Sequence, residues 1–361
     1  MLHILDFAKA FDRVPHERLK AKLHRNGIDT LTLRWINAFL CNRRQRVVVN
    51  GSKSSWTSVI SGVPQGTVLG PVLFNLFIND IAEGIGSQIR LFADDCVCYR
   101  RVSNRNDSSK LQEDISRLAE WTKTWNMSFA PAKCKIMRIT RKTTHNVIHP
   151  YFMEGTTVSE VAHVKYLGVS ISEDLRWNRH VADITKRASK LLGLLKRNLS
   201  PCDRKVKEAT YFGLVRPILE YASQAWDPHS ANLIDELEKV QRRAARFVSG
   251  NYHDYTPGSM TKIINDLGWQ TLEHRRKIDR LCLFSKCLCT KVVIPDSLLI
   301  RPRRSLRHMH NSHFIQLYAR TNIYKFSFIP RTIVNWNSLP QTYVDTALVT
   351  GGSEKFRNLL I

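Results

Sequence analysis

The sequence predicts an α+β protein, with a sheet-bearing first half and a mostly helical second half. Three observations carry that expectation. Short β-rich apolar runs, LHILDF and LFADDCVCY, occur within the first hundred residues and each carries acidic residues. Segments of 3.6-residue apolar periodicity lie between and after them. From Asn178 onward the helical period dominates. With 361 residues, 43% of them hydrophobic, the chain can bury a sizeable core and divide into two or three domains.

The elements follow in order. Residues 1–7 read as a buried strand. Pro15 suits the first turn of a helix running to Asn26, where Gly27 stops it. A second helix is expected over Thr30–Leu40. Two β-rich runs flank Asn50-Gly51, a strong hairpin signal. The Gly/Pro-rich segment SGVPQGTVLG then opens an apolar helix over Thr67–Ala82. A strand–turn–strand is centred on Asp94-Asp95, and a helix over Asp107–Trp125 sets Leu111, Ile115 and Leu118 on one side. Short strands are expected at Lys135–Thr140 and Tyr166–Ile171.

The long helix starting at Asn178 has two unlike faces. At 100° per residue Arg179, Lys186, Lys190 and Arg197 fall within about 40° of one another. Val181, Ile184, Ala188, Leu191, Leu195 and Leu199 occupy the other side. Further helices are expected at Arg204–Trp226, interrupted at Pro217, and at Asn232–Ser249. After Gly250 the signal weakens, with a helix near Leu272–Cys289, the basic run RPRRSLRHMH and the segment SFIPRTIVNWNSLP.

Charge narrows the partners. Lys and Arg number 55 against 31 Asp and Glu, a formal net charge of +24. The excess is +8 over residues 1–175 and +16 over 176–361. Such a surface attracts polyanions, nucleic acid above all. No run of apolar residues long enough for a transmembrane helix is present, and the start has no basic region followed by an apolar core. A membrane partner and a secretory route are therefore not expected. The eight cysteines are scattered without a CxxC pair, which suits a reducing intracellular compartment. The spacing of Cys282, Cys287 and Cys289 ahead of His308, His310 and His313 fits no zinc module.

The acidic residues carry the chemistry. Adjacent carboxylates between two apolar strands are costly unless a cation neutralises them. Oxygen-rich groups of this kind suit a hard divalent cation held together with phosphate oxygens. Asp6, Asp94 and Asp95 thus point to two-metal phosphoryl transfer, with ions roughly 4 Å apart. The alternative reading is a helix cap at Asp6 and a solvated turn at Asp94-Asp95.

The ordered set LDFAKAFD, SGVPQGTVLGPVLFNLFIND, LFADD, AKC and YLG resembles the reverse transcriptases of non-LTR, LINE-type (jockey-like) retrotransposons over residues 1–175. LVRPILEYASQAW, EKVQRRAAR and FIPRTIVNWNSLP extend the likeness more loosely. The resemblance implies a right-hand polymerase: a palm of antiparallel sheet with helices over 1–175, a helical thumb over 176–250, and a basic C-terminal region of uncertain fold over 251–361. It implies an RNA-directed DNA polymerase that uses two Mg²⁺ or Mn²⁺ ions, an RNA template with a DNA primer, and deoxynucleoside triphosphates.

The resemblance also assigns roles. Asp6, Asp94 and Asp95 would hold the ions together with the Phe7 carbonyl. Phe11 would pack beneath the incoming sugar and exclude a 2′-hydroxyl. Gln65 and Gly66 would meet the nucleotide, with Gly62 also allowing close backbone approach. Lys133 would stand near the leaving pyrophosphate, although a plain surface lysine reads equally well. Tyr166, Leu167 and Gly168 would form the primer-grip hairpin. Arg179, Lys186, Lys190 and Arg197 would line a phosphate backbone, and Arg43, Arg44 and Arg46 would touch the template or be simply solvated.

Family members carry a fingers subdomain ahead of the first motif, whereas only Met1 to Leu5 precede Asp6 here. The expectation is therefore a fingers-less fragment truncated at its N-terminus, exposing apolar surface. A catalytically inactive nucleic-acid-binding relic is the other reading. The family's life cycle implies nuclear as well as cytoplasmic residence, with Arg301–Arg307 as an import segment.

Overall fold

The first strand, β1 (Leu2–Asp6), is apolar on both faces and ends in an acidic residue. The structure is a computed structural model. It describes all residues except 141–149, 255, 290, 291, 293, 305–308 and 353. The chain divides into two compact units, residues 1–168 with 172–174, and residues 169–171 with 175–361.

In the first unit, helices α1 (His16–Arg25) and α2 (Thr30–Leu40) follow β1. Gly27 stops α1 at a positive φ of 83°. The Asp29 side chain caps α2 by accepting from the Leu31 and Thr32 N–H groups. The expected hairpin forms as Val48–Val49 paired with Ser52–Lys53, with Asn50 and Gly51 both at positive φ. Helix α3 (Leu69–Ile78) continues as a 3₁₀ turn over Asn79–Ala82. Then come β2 (Gln88–Phe92), β3 (Asp95–Tyr99) and α4 (Arg105–Thr124). Two short strands close the sheet, β4 (Lys135–Met137) and β5 (Ser159–Glu160).

The sheet order is β5-β4-β1-β3-β2, antiparallel except for β5 beside β4. Leu5, Cys96 and Cys98 point from its middle into one core with Leu19, Leu23, Phe74, Phe77, Leu111, Ile115 and Leu118 of the helices. The side-chain period of two sends Asp6 and Asp95 to the opposite face. Val47, Val48, Val49, Trp56 and Ile60 around the hairpin are exposed.

Some boundaries differ from expectation. The strand at Lys135 ends at Met137. The stretch expected as one strand from Tyr166 turns instead at Leu167 and Gly168, joining β6 (His163–Tyr166) to β7 (Val169–Ser172).

In the second unit, α5 (Asn178–Asn198) buries Val181, Ile184, Ala188 and Leu195 as expected, with Leu192 in place of the half-buried Leu191. Residues 204–226 are broken into short helices. A π turn over Tyr211–Val215 precedes the segment that Pro217 begins, because proline cannot donate the N–H a continuous helix needs. Helix α6 (Ala231–Ser249) ends at Gly250, φ 73°. Packing does not stop there. Ile263, Leu267, Trp269 and Leu272 join the same core as Leu237 and Phe247. The change of core falls within α7 (Leu272–Leu288), whose Ile278, Leu281 and Phe284 pack with Phe314, Ile333, Trp336 and Phe356. The C-terminal stretch is thus folded where described, with α8 (Phe328–Asn337) at its centre. No helix among the described residues is long and apolar enough to cross a membrane.

Candidate active site

Asp6 stands directly opposite Asp95 in the β1–β3 pair, and Phe92 pairs with Asp95 across the β2–β3 turn. Facing Cβ atoms in such a pair lie about 4.5–5.5 Å apart. Ala93-Asp94 forms the two-residue turn, with Ala93 in the left-handed region at φ 51°. Glycine normally occupies that position, and a side chain there costs on the order of 1–2 kcal/mol. The strain is spent on a turn that sets Asp94 immediately beside Asp95.

The electrostatics are those of an under-neutralised site. Burial, then the charge of Asp94, then that of Asp6, push the Asp95 carboxyl above the usual range. The one cation beside these groups in the described ion pairs is Lys133, whose Nζ lies 3.7 Å from Asp6 Oδ1. Lys133 is largely exposed, so this contact contributes little. Tyr166 lies close enough that the Asp95 charge, after burial, raises its phenol.

β1 continues past Asp6 as a bridge between Phe7 and Phe129. Its hydrogen bonds run from Ala8 N–H to the Ser128 carbonyl and from Ala130 N–H to the Asp6 carbonyl, so they flank the Phe7 carbonyl without using it. The donors are carboxylate and carbonyl oxygens, the set a hard divalent cation takes. Among the described residues, however, no three or more His, Cys, Asp or Glu side chains are gathered closely enough to hold a metal ion. The same absence covers the described cysteines and histidines of the second unit; His308 lies outside the described residues.

The loop that opens α3 packs on the turn after β1. Phe11 is half-buried and stacks on Phe74 with centroids 4.4 Å apart. Gln65 is exposed, with its Nε2 donating to Asp12 Oδ1 at 3.3 Å. Gly66 has φ 77° and open space around it. Gly62 is different: an added Cβ would meet the Asp12 and Phe11 backbone at 2.7 Å. Its close approach in this structure is to its own protein. The Gly62 carbonyl accepts from Arg43 Nη2 at 2.6 Å and lies 2.9 Å from His16 Nε2. Arg43 thus braces this loop, and its pKa falls through burial. Arg46 lies over Trp56, 4.5 Å from the ring centroid, and Arg44 is exposed. Sequence reasoning missed His16 and Arg43 as loop supports because nothing local marks a contact made 46 and 19 residues away.

Leu167 and Gly168 turn the β6–β7 hairpin at φ 45° and 81°. In the second unit, Arg179, Lys186, Lys190 and Arg197 are all exposed along one side of α5.

Residues 1–171 match the family model described as reverse transcriptase (RNA-dependent DNA polymerase), and this stretch is a reverse transcriptase domain. The chain is 28% identical over 335 residues to the probable RNA-directed DNA polymerase from transposon BS of Drosophila melanogaster, covering 86% of this chain and 35% of that protein. It is 31% identical over 264 residues to the RNA-directed DNA polymerase from mobile element jockey of Drosophila funebris, covering 68% and 28%. These likenesses are to RNA-directed DNA polymerases of transposable elements, the kind of protein that the motifs of residues 1–175 resemble. It spans about a third of the length of the curated relatives it matches. A telomerase structure from Candida albicans, in complex with a fragment of telomeric RNA, aligns over 77% of this chain and 47% of that one at 11% identity, with a TM-score of 0.35.

Proposed function

We propose that the chain contributes the palm and thumb of an RNA-directed DNA polymerase, extending a DNA primer on an RNA template. The observation that carries the reading is the direct pairing of Asp6 with Asp95, with Asp94 on the adjoining turn, inside a reverse transcriptase domain. Asp6, Asp94 and Asp95, with the Phe7 carbonyl, would hold two Mg²⁺ or Mn²⁺ ions. Such ions supply Lewis-acid stabilisation of the attacking and leaving oxygens. Lys133, already beside Asp6, would donate a proton toward the leaving pyrophosphate. Phe11, held by Phe74, would bound the sugar pocket against a 2′-hydroxyl. Gln65 and Gly66 would meet the nucleotide on the open side of their loop. The Tyr166-Leu167-Gly168 hairpin would hold the primer end. Arg179, Lys186, Lys190 and Arg197 would run along phosphates, positioning the duplex without reading its sequence.

The test is primer extension on an RNA template with Mg²⁺ or Mn²⁺, comparing the chain with its Asp94→Asn/Asp95→Asn variant. Extension that falls by about a hundredfold or more in the variant is expected, since removing developing-charge stabilisation costs at least that much. Duplex binding with no extension by either protein would favour the second reading, a nucleic-acid-binding relic. The observation on that side is that, among the described residues, no three such side chains are gathered closely enough to hold a metal ion.

A further inference from the structure

In the second unit the carboxylate of Asp227, almost fully buried, is surrounded by three guanidiniums. Arg276 Nε donates to Oδ1 at 2.7 Å, while Arg280 Nε and Arg331 Nη1 lie 2.9 and 3.0 Å from Oδ2. Three positive charges thus share one negative charge in a largely dry environment, a balance that favours a further anion. Arg280 is itself 3% exposed, and its Nη1 has no hydrogen-bond partner among the described residues. Its Nε sits close to Asp227 but is misaligned for a hydrogen bond. Burial lowers the Arg280 pKa to about 10, which still leaves it charged at neutral pH.

Arg280 and Arg331 line a cavity of about 850 Å³ together with His274, Lys277 and Lys325. Glu273 is the one acidic residue on its wall among the described residues. Two aromatic rings border it. Phe326 is stacked on His229, with centroids 4.2 Å apart, so one of its faces is taken. Tyr318 is 83% exposed. An under-bonded guanidinium, two lysines and an exposed phenol ring lining one cavity match a phosphate with an attached base.

We propose that this cavity binds single-stranded nucleic acid, with a phosphate held by Arg280, Lys277 and Lys325 and a neighbouring base stacked on Tyr318. Nucleic acid, among phosphate-bearing ligands, rests on the polymerase reading above; the anion site itself does not.

The test uses the full chain and a short fluorescent oligouridylate, followed by anisotropy across a salt series. Lys277→Ala/Lys325→Ala should weaken binding about tenfold and reduce the salt slope by about 1.4, the value for two fewer phosphate contacts on a single strand. Tyr318→Ala should weaken it several-fold and Tyr318→Phe should restore it, which a purely electrostatic surface would not do. Both substituted regions are exposed or half-exposed, and circular dichroism checks that the variants fold. Unchanged affinity and slope in both variants would overturn the proposal. So would cavity-dependent binding to phosphatidylserine vesicles with none to the oligonucleotide. Primer extension run on the same preparations separates the two readings. Extension with unchanged oligonucleotide binding sinks the cavity and leaves the polymerase. Cavity-dependent binding without extension does the reverse.

Discussion

Two clusters of carboxylate charge in this chain are built in opposite ways. At the strand ends of the first unit, Asp6, Asp94 and Asp95 are half-buried, and the cation beside them is one exposed lysine. In the second unit a single buried carboxylate, Asp227, has three arginines around it. The first cluster is short of positive charge and the second has a surplus. Surplus negative charge at an accessible edge costs stability and suits a site that borrows its cations from outside. A buried carboxylate ringed by guanidiniums ties elements together: Arg276 and Arg280 come from α7 and Arg331 from α8.

The comparison breaks most visibly at Asp227. Replacing it with Ala leaves three guanidiniums without their counter-charge, and chemical denaturation should show the second unit destabilised by about 3–5 kcal/mol. A loss below about 1 kcal/mol would mean water already solvates the cluster. At the other cluster the sign reverses. Asp95→Asn removes a carboxylate whose pKa is raised by burial and by its acidic neighbours, so the first unit should become more stable at neutral pH, with Tm rising by about 1–2 °C. The pH dependence follows from the direction of that shift. A raised carboxyl binds its proton more readily in the folded state, so its destabilising effect is full above the folded pKa and fades as pH falls through the carboxylate range. The stability gap between variant and parent should therefore close on acidification, and a gap that widens would contradict the assignment. The smallest expected effect is at Lys133. Lys133→Ala should change stability by less than about 0.5 kcal/mol, because the Asp6 contact is solvated. A larger loss would show that the lysine is part of the fold and not only of the site.

Much of this was legible in the chain. The hairpin at Asn50-Gly51, the α2 span and the strand–turn–strand around Asp94-Asp95 follow from turn chemistry and residue period, which act within a few neighbours. The basic stripe of α5 was readable for the same reason: a helix of known period fixes which side chains share a face. Less was legible where the decision is made at a distance. Nothing near Gly250 says that Ile263 and Trp269 close the same core as Leu237. Pro217 marked an interruption, but the π turn ahead of it is an adjustment of the whole packed segment.

Sequence alone determined the acidic strand ends, the order of the motifs, the excess of basic residues and the local turns, because each depends on residue type and short spacing. Tertiary structure decided that β1 lies in the middle of the sheet, bringing Asp6 opposite Asp95 across 89 positions of chain. It gave Gly62 and Arg43 to the support of their own loop, and it gathered Asp227, Arg276, Arg280 and Arg331 beside one cavity. Those pairings are set by which apolar faces bury each other, and burial is a property of the folded whole that no local spacing records.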